Sequence, residues 1–168
     1  MTVKAMPLLA GDVLTAHGYN VGKPQYAWKT VAESVVNSAV DQLDDELFLP
    51  VEPFSMYLVL ACFSVTGPTA AKLRLGYSVP AGTQGRRHNV GPAAAVTSTT
   101  DTMRISVHAW PTAVSYGTTT TAVSIIEEGV LVTEAAGGIM NVQWAQNFAN
   151  ATAVTLEARS FLRIQQVT

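Results

Sequence analysis

Val154-Thr155-Leu156-Glu157-Ala158-Arg159-Ser160-Phe161-Leu162-Arg163-Ile164-Gln165 decides the fold class. Val154, Leu156, Ala158, Leu162 and Ile164 recur at every second position, while Thr155, Glu157, Arg159, Arg163 and Gln165 occupy alternate ones. Successive side chains on a strand point to opposite faces, so this pattern marks a half-buried β-strand. Just upstream, Val142–Gln146 leads into Asn147-Phe148-Ala149-Asn150-Ala151, whose asparagines and small residues suit a turn. The two segments together predict a long antiparallel hairpin closing the chain, the usual unit of an all-β sandwich.

The same two-residue period extends upstream. Strands are predicted over 28–36, 46–51, 55–65, 71–79, 103–110, 118–126, 129–133 and 139–146, punctuated by glycine and proline. Glu127-Glu128-Gly129 predicts a bulge, and Thr83–Thr102, rich in Gly, Ala, Ser and Thr, a long contact loop. The expected architecture is a jelly-roll-like antiparallel sandwich of about eight strands over residues 26–168. Residues 1–25 differ. Pro7, Gly11, Gly18, Gly22 and Pro24 break any regular element, leaving an arm that must lay Leu8, Leu9, Val13, Leu14 and Tyr19 on its own domain or on a neighbour.

The composition points to contact. Hydrophobic residues make up 48% of the 168, but charged ones only 13%, against roughly 25% in an ordinary domain. Within Ser55–Val65, Tyr57, Val59, Ala61, Phe63 and Val65 share one face and Leu58, Leu60 and Cys62 the other. A strand apolar on both sides is normal under helices, but no helical period is visible. One face meets the opposite sheet; the other needs a cover, the arm or a second subunit. Val59 and Phe63 join the arm residues as expected assembly contacts, and closed symmetry is expected of a finite assembly.

Chemistry is harder to find. The net charge of −2 carries no basic stripe, so nucleic acid is not an expected partner. Arg86-Arg87-His88, within the glycine-rich stretch, reads as a solvated loop tip. Cys62 is the only cysteine, so no intrachain disulfide forms, and it reads as a small buried hydrophobe. The first residues have too short an apolar core for a signal peptide, and no run is long enough to cross a bilayer. No membrane partner is therefore expected, and synthesis in a cytoplasm is.

His17, His88 and His108 lack metal-ligand spacing. Asp41, Asp44, Asp45 and Glu46 lack the glycine and alternation of a calcium loop and read as a solvated turn before Leu47-Phe48-Leu49. Glu127 and Glu128 are adjacent on a strand and point to opposite faces. No Gly-x-Ser-x-Gly elbow and no phosphate loop are present. No catalytic, metal or cofactor-binding residue is assigned, and no enzyme is expected. Trp28, Trp110 and Trp144 read as core anchors, with Trp110 open to a place on a contact surface. Trp110 and Tyr116 near loop ends also raise the alternative of a carbohydrate-binding module for a host-surface glycan.

Several segments together resemble a known family. Leu9-Ala10-Gly11-Asp12-Val13-Leu14-Thr15-Ala16 resembles the AGxxLTA segment near the start of small structural proteins of tailed phages, which there continues into Leu-Asn; here His17-Gly18-Tyr19-Asn20 follows. Glu33-Ser34-Val35 through Asp44-Asp45-Glu46-Leu47-Phe48-Leu49-Pro50-Val51 resembles the opening of a virion β-domain. Tyr77-Ser78-Val79-Pro80-Ala81-Gly82 and Val142–Asn147 with Asn150-Ala151-Thr152 are similar to its next strand and its closing hairpin. The resemblance implies a virion location on capsid or tail surface and no enzyme activity. It also implies a homotrimer, decorating a head through the major capsid protein or attached among minor tail proteins.

Overall fold

The computed structural model describes residues 22–94 and 103–167. Among them are twelve strands: β1 (Pro24–Trp28), β2 (Glu33–Val35), β3 (Gln42–Val51), β4 (Met56–Thr66), β5 (Leu73–Ser78), β6 (Gln84–Pro92), β7 (Met103–Ala109), β8 (Val114–Tyr116), β9 (Val123–Val132), β10 (Gly138–Gln146), β11 (Val154–Leu156) and β12 (Phe161–Gln166). They form two antiparallel sheets, an all-β sandwich. The larger runs β1-β12-β4-β9-β6-β7, with β11 on β4 and β2 on β11; the smaller runs β3-β10-β5-β8.

The core lies where the inward faces meet. β4 supplies Tyr57, Val59, Ala61, Phe63 and Val65, β9 Ile125 and Leu131, and β12 Leu162 and Ile164. The smaller sheet answers with Leu47, Leu49 and Val51, Leu73, Leu75 and Tyr77, and Met140, Val142 and Trp144. Each set is spaced by two, the period of a pleated strand.

The closing segment alternates as its sequence predicts, with Val154, Leu156, Leu162 and Ile164 all buried. It is not one strand. Arg159, at φ 72°, turns the chain between β11 and β12, and Ser160 N donates to Glu157 O at 3.3 Å. The register on β4 slips there by two residues. An even slip preserves the face, so the pattern survives the break. The expected hairpin is corrected: β10 pairs with β3 and β5 in the smaller sheet, whereas β11 and β12 pair with β4 in the larger one.

Other expectations shift with it. The stretch expected as a long loop from Thr83 holds strand β6, and its residues 95–102 lie outside the described residues. Glu127-Glu128-Gly129 is no bulge, since β9 keeps one register from Val123 to Val132 against β4. Gly129 is there for another reason. A Cβ on it would stand 2.1 Å from Arg86 O and 2.7 Å from Arg87 Cα. The bulge lies instead where β3 meets β10, as a register shift between Asn141 and Gln143. β3 begins at Gln42, four residues ahead of the strand expected over 46–51, and β8 lies between the strands expected over 103–110 and 118–126. β1 begins at Pro24, inside the segment read as an arm, and Gly22 N donates to Gln166 O at 2.9 Å.

Candidate assembly face and the polar clusters beneath it

The outer face of the larger sheet is apolar in a connected way. Its registers place Trp28 opposite Phe161, Phe161 opposite Cys62, Cys62 opposite Ile126, Ile126 opposite Val90, and Val90 opposite Ile105. One uncharged row thus crosses all six strands. Ile105 is 76% exposed, Trp28 60% and Ile126 43%. The next row runs Tyr26, Arg163, Leu60, Glu128, His88 and Val107. The third runs Pro24, Gln165, Leu58, Val130, Arg86 and Ala109. A depression of about 550 Å³ opens between these two rows, lined by Leu58, Leu60, Arg86, His88, Glu128 and Arg163. Arg163 lies over the Tyr26 ring, 5.8 Å from its centre.

The inner face under that depression carries a buried ion pair. Arg87 and Glu127 are both fully buried, with Nε 3.0 Å from Oε2. The guanidinium also donates to three backbone carbonyls, Ala109 O at 2.8 Å, Thr112 O at 2.6 Å and Trp110 O. It sits 5.0 Å from the centre of the Tyr77 ring, which meets Trp110 edge-on at 5.3 Å. Tyr116 donates its hydroxyl to Glu127 Oε1 at 2.5 Å. Burial pushes the Glu127 carboxyl above its usual range, opposed first by Arg87 and then by the Tyr116 hydrogen bond. Burial, then the charge of Glu127, raises Tyr116. Five directed contacts on one guanidinium tie the β7–β8 connection to β6 and β9, a fixing role that arginine's rigid fork suits.

A second buried cluster joins the two sheets elsewhere. Lys29 Nζ lies 2.9 Å from Asp44 Oδ2 and 2.8 Å from Glu33 Oε2. Trp144 Nε1 donates to Asp44 Oδ2 at 3.2 Å, and Gln42 Nε2 to Glu33 Oε1 at 2.6 Å. Asp44 Oδ1 accepts from Glu46 N at 3.0 Å and Leu47 N at 2.8 Å. The shift in register on β3 is what turns Asp44 inward beside Leu47, and its carboxylate satisfies the backbone there. Burial lowers the Lys29 pKa; hydrogen bonds and charges of Glu33 and Asp44 outweigh it, and the net shift is upward.

These positions revise several residue assignments. Val59 and Phe63 belong to this chain's own core, so the outward face of β4 is that of Leu58, Leu60 and Cys62. Leu8, Leu9, Val13, Leu14, Tyr19 and His17 lie outside the described residues. Trp144 and Trp110 are buried, while Trp28 stands on the outer face. Cys62 is half-buried, not enclosed, and burial raises its thiol pKa. Arg87 is no loop tip and Asp44 no solvated turn. Trp110 and Tyr116, only 1% and 0% exposed, offer no ring to a sugar. His88 and His108 point to opposite faces, because Arg87, not His88, is opposite His108.

One pairing escaped the sequence reading. Ser106 Oγ lies 2.8 Å from His108 Nε2, two residues apart on one strand face. The hydroxyl also donates to Asn89 Oδ1 at 2.9 Å and accepts from Arg104 Nε at 3.1 Å. Burial first, then Arg104 and Arg87, lowers the His108 pKa and favours neutral imidazole. Three partners around one hydroxyl describe a cross-strand tie between β6 and β7. No carboxylate bonds to His108 among the described residues, so the orienting member of a nucleophile–base–acid relay is not supplied there.

No family model matches the chain and no curated protein matches it. Among solved structures, it is similar to one from infectious bursal disease virus, Gx strain, at 9% identity and TM-score 0.23, covering 87% of this chain and 39% of the other. It is also similar to a mutant VP2 protein of infectious bursal disease virus in derived T=1 particles, at 10% identity and TM-score 0.20, covering 98% of this chain and 43% of the other. The chain spans about two fifths of the length of these proteins. Likeness at this level constrains neither assembly nor role.

Proposed function

We propose that this chain is a non-enzymatic structural protein of a tailed-phage virion, a homotrimer that decorates the head and reinforces the shell. The observation that carries the reading is the uncharged row from Trp28 to Ile105, across a sandwich whose buried charges pair among themselves. Here Lys29, Asp44, Arg87 and Glu127 are spent on holding strands together, and the outer face is built for contact. The phage-like segments at 9–16 and 33–51 supply the virion setting. The segment at 9–16 also favours a second placement, as a minor tail protein. Capsid or tail proteins are the partners in either case.

The test is protein analysis of purified particles of the encoding phage. The protein is expected at a fixed ratio to the major capsid or tail protein, in copies divisible by three. A chain lacking residues 1–21 is expected to fold and to be missing from particles. Absence of the full-length protein from purified particles would overturn the virion role.

A further inference from the structure

We infer that the outer face of the larger sheet is where copies of this chain meet, with Trp28, Phe161, Cys62, Ile126, Val90 and Ile105 forming the apolar centre of the contact. The inference rests on the self-assembly in the proposed function and names the surface that performs it.

Size is the first reason. Five strand-to-strand steps of about 4.8 Å and three residue rows give a patch on the order of 500 Å² before side-chain relief. Relief from Trp28, Tyr26, Leu58 and Ile105, all about half exposed or more, brings it toward the ~800 Å² per partner of a standard interface. The outer face of the smaller sheet is unlike this. There Asn141 separates Phe48 from Ser78 and Gln143 separates Leu43 from Gly76, so an amide interrupts two of its rows; a third carries Arg74 beside Ala145, and Ile139 opposite Pro50 makes only a short apolar pair.

Charge is the second reason, and it selects the occupant. Glu128 stands beside His88 on the neighbouring strand and next to Arg86, and Arg163 lies two strands away, beyond Leu60. A foreign partner is selected most simply by a face of one sign. A contact between identical chains draws both of its sides from one sequence, so both signs must be present for a carboxylate on one subunit to answer a guanidinium on the next. Apolar centre, mixed-charge flank and depression between the flanking rows together fit a second copy.

Ile126→Asp and Ile105→Asp test the face without touching the core, because both side chains point outward. Mass measurement at micromolar concentration is expected to give an oligomer for the wild type and monomers for both variants, each with the wild-type circular-dichroism spectrum. Cys62, central in the row and the only thiol in the sequence, is a built-in probe. It is expected to react with a maleimide about tenfold more slowly in the wild-type oligomer than in the Ile105→Asp monomer, equivalent to about 1.4 kcal/mol of protection. A wild-type oligomer that survives both substitutions overturns the inference. So does a wild-type monomer: slow Cys62 would mean that the chain covers its own face, and fast Cys62 that another protein does. A monomer found on particles would sink the self-contact and leave the virion role standing; an oligomer absent from particles would do the reverse.

Discussion

Arg87 Nε and Glu127 Oε2 lie 3.0 Å apart with both side chains fully enclosed, directly beneath the outer-face residues Arg86, His88, Ile126 and Glu128. A buried pair contributes little net energy against an apolar replacement, but removing one partner strands a charge. Arg87→Met is therefore expected to cost about 3–5 kcal/mol at neutral pH. Arg87→Met combined with Glu127→Leu is expected to cost less than Arg87→Met alone. Urea titration of wild type, the single and the double variant measures this; a double variant less stable than Arg87→Met would contradict it.

The same pair sets a pH dependence. Burial raises Glu127, so the folded state holds its proton more tightly than the unfolded one. The contribution is full below the ordinary carboxylate pKa and is lost as pH rises through the folded value. Without the guanidinium that opposes the shift, this loss must grow. Relative to wild type, Arg87→Met is expected to be least destabilised at acid pH and progressively more so toward neutrality. Melting temperatures of both proteins across that range decide it, and a difference that does not change with pH refutes it.

Lys29 gives the opposite end of the scale. Its pKa is raised on balance by Glu33 and Asp44. Its stabilisation is complete below the ordinary lysine pKa and is lost as pH rises through the folded value, so wild-type protein should weaken at strongly alkaline pH. Asp44→Ala removes the Lys29 partner and the acceptor for Glu46 N and Leu47 N together, at an expected cost of about 3–5 kcal/mol. Chemical denaturation at neutral pH checks the second figure; a loss below 1 kcal/mol, the scale of an exposed pair, would show that the cluster is not closed as described.

Gly129 has a purely steric role. Gly129→Ala places a methyl group against backbone, 2.1 Å from Arg86 O, where no side chain can move aside. A loss of roughly 3 kcal/mol, the upper range for overpacking, is expected. A thermal melt within a degree of wild type would show that β6 and β9 are free to part there.

What the sequence discloses follows from the range of the forces involved. Alternation is local, so the inward faces of β4, β5, β11 and β12 are legible in Tyr57 to Val65, Leu73 to Tyr77 and Val154 to Ile164. Which sheet a strand joins depends on distant pairings, and nothing in Ile139–Gln146 says that its neighbours are β3 and β5. β6 hides for a different reason. Its inward residues are Gly85, Arg87, Asn89 and Gly91, none of them apolar, because Arg87 fills the space and a Cβ on Gly91 would come within 2.8 Å of the Tyr116 ring. The strand therefore shows no hydrophobic period. Asp44 misleads in the same way, since a single charge reads as surface until its partner, Lys29, is found across the fold. The outer row was half visible, in the second apolar face of Ser55–Val65; its other members needed the register.

An electron-microscopy map of the intact phage particle bears on the whole reading at once. The sandwich is expected to fit symmetric density on the head or tail as a trimer, with the row from Trp28 to Ile105 buried between subunits. Particles with no density for the fold, or with the fold present as isolated single copies whose outer sheet face is open to solvent, would contradict it.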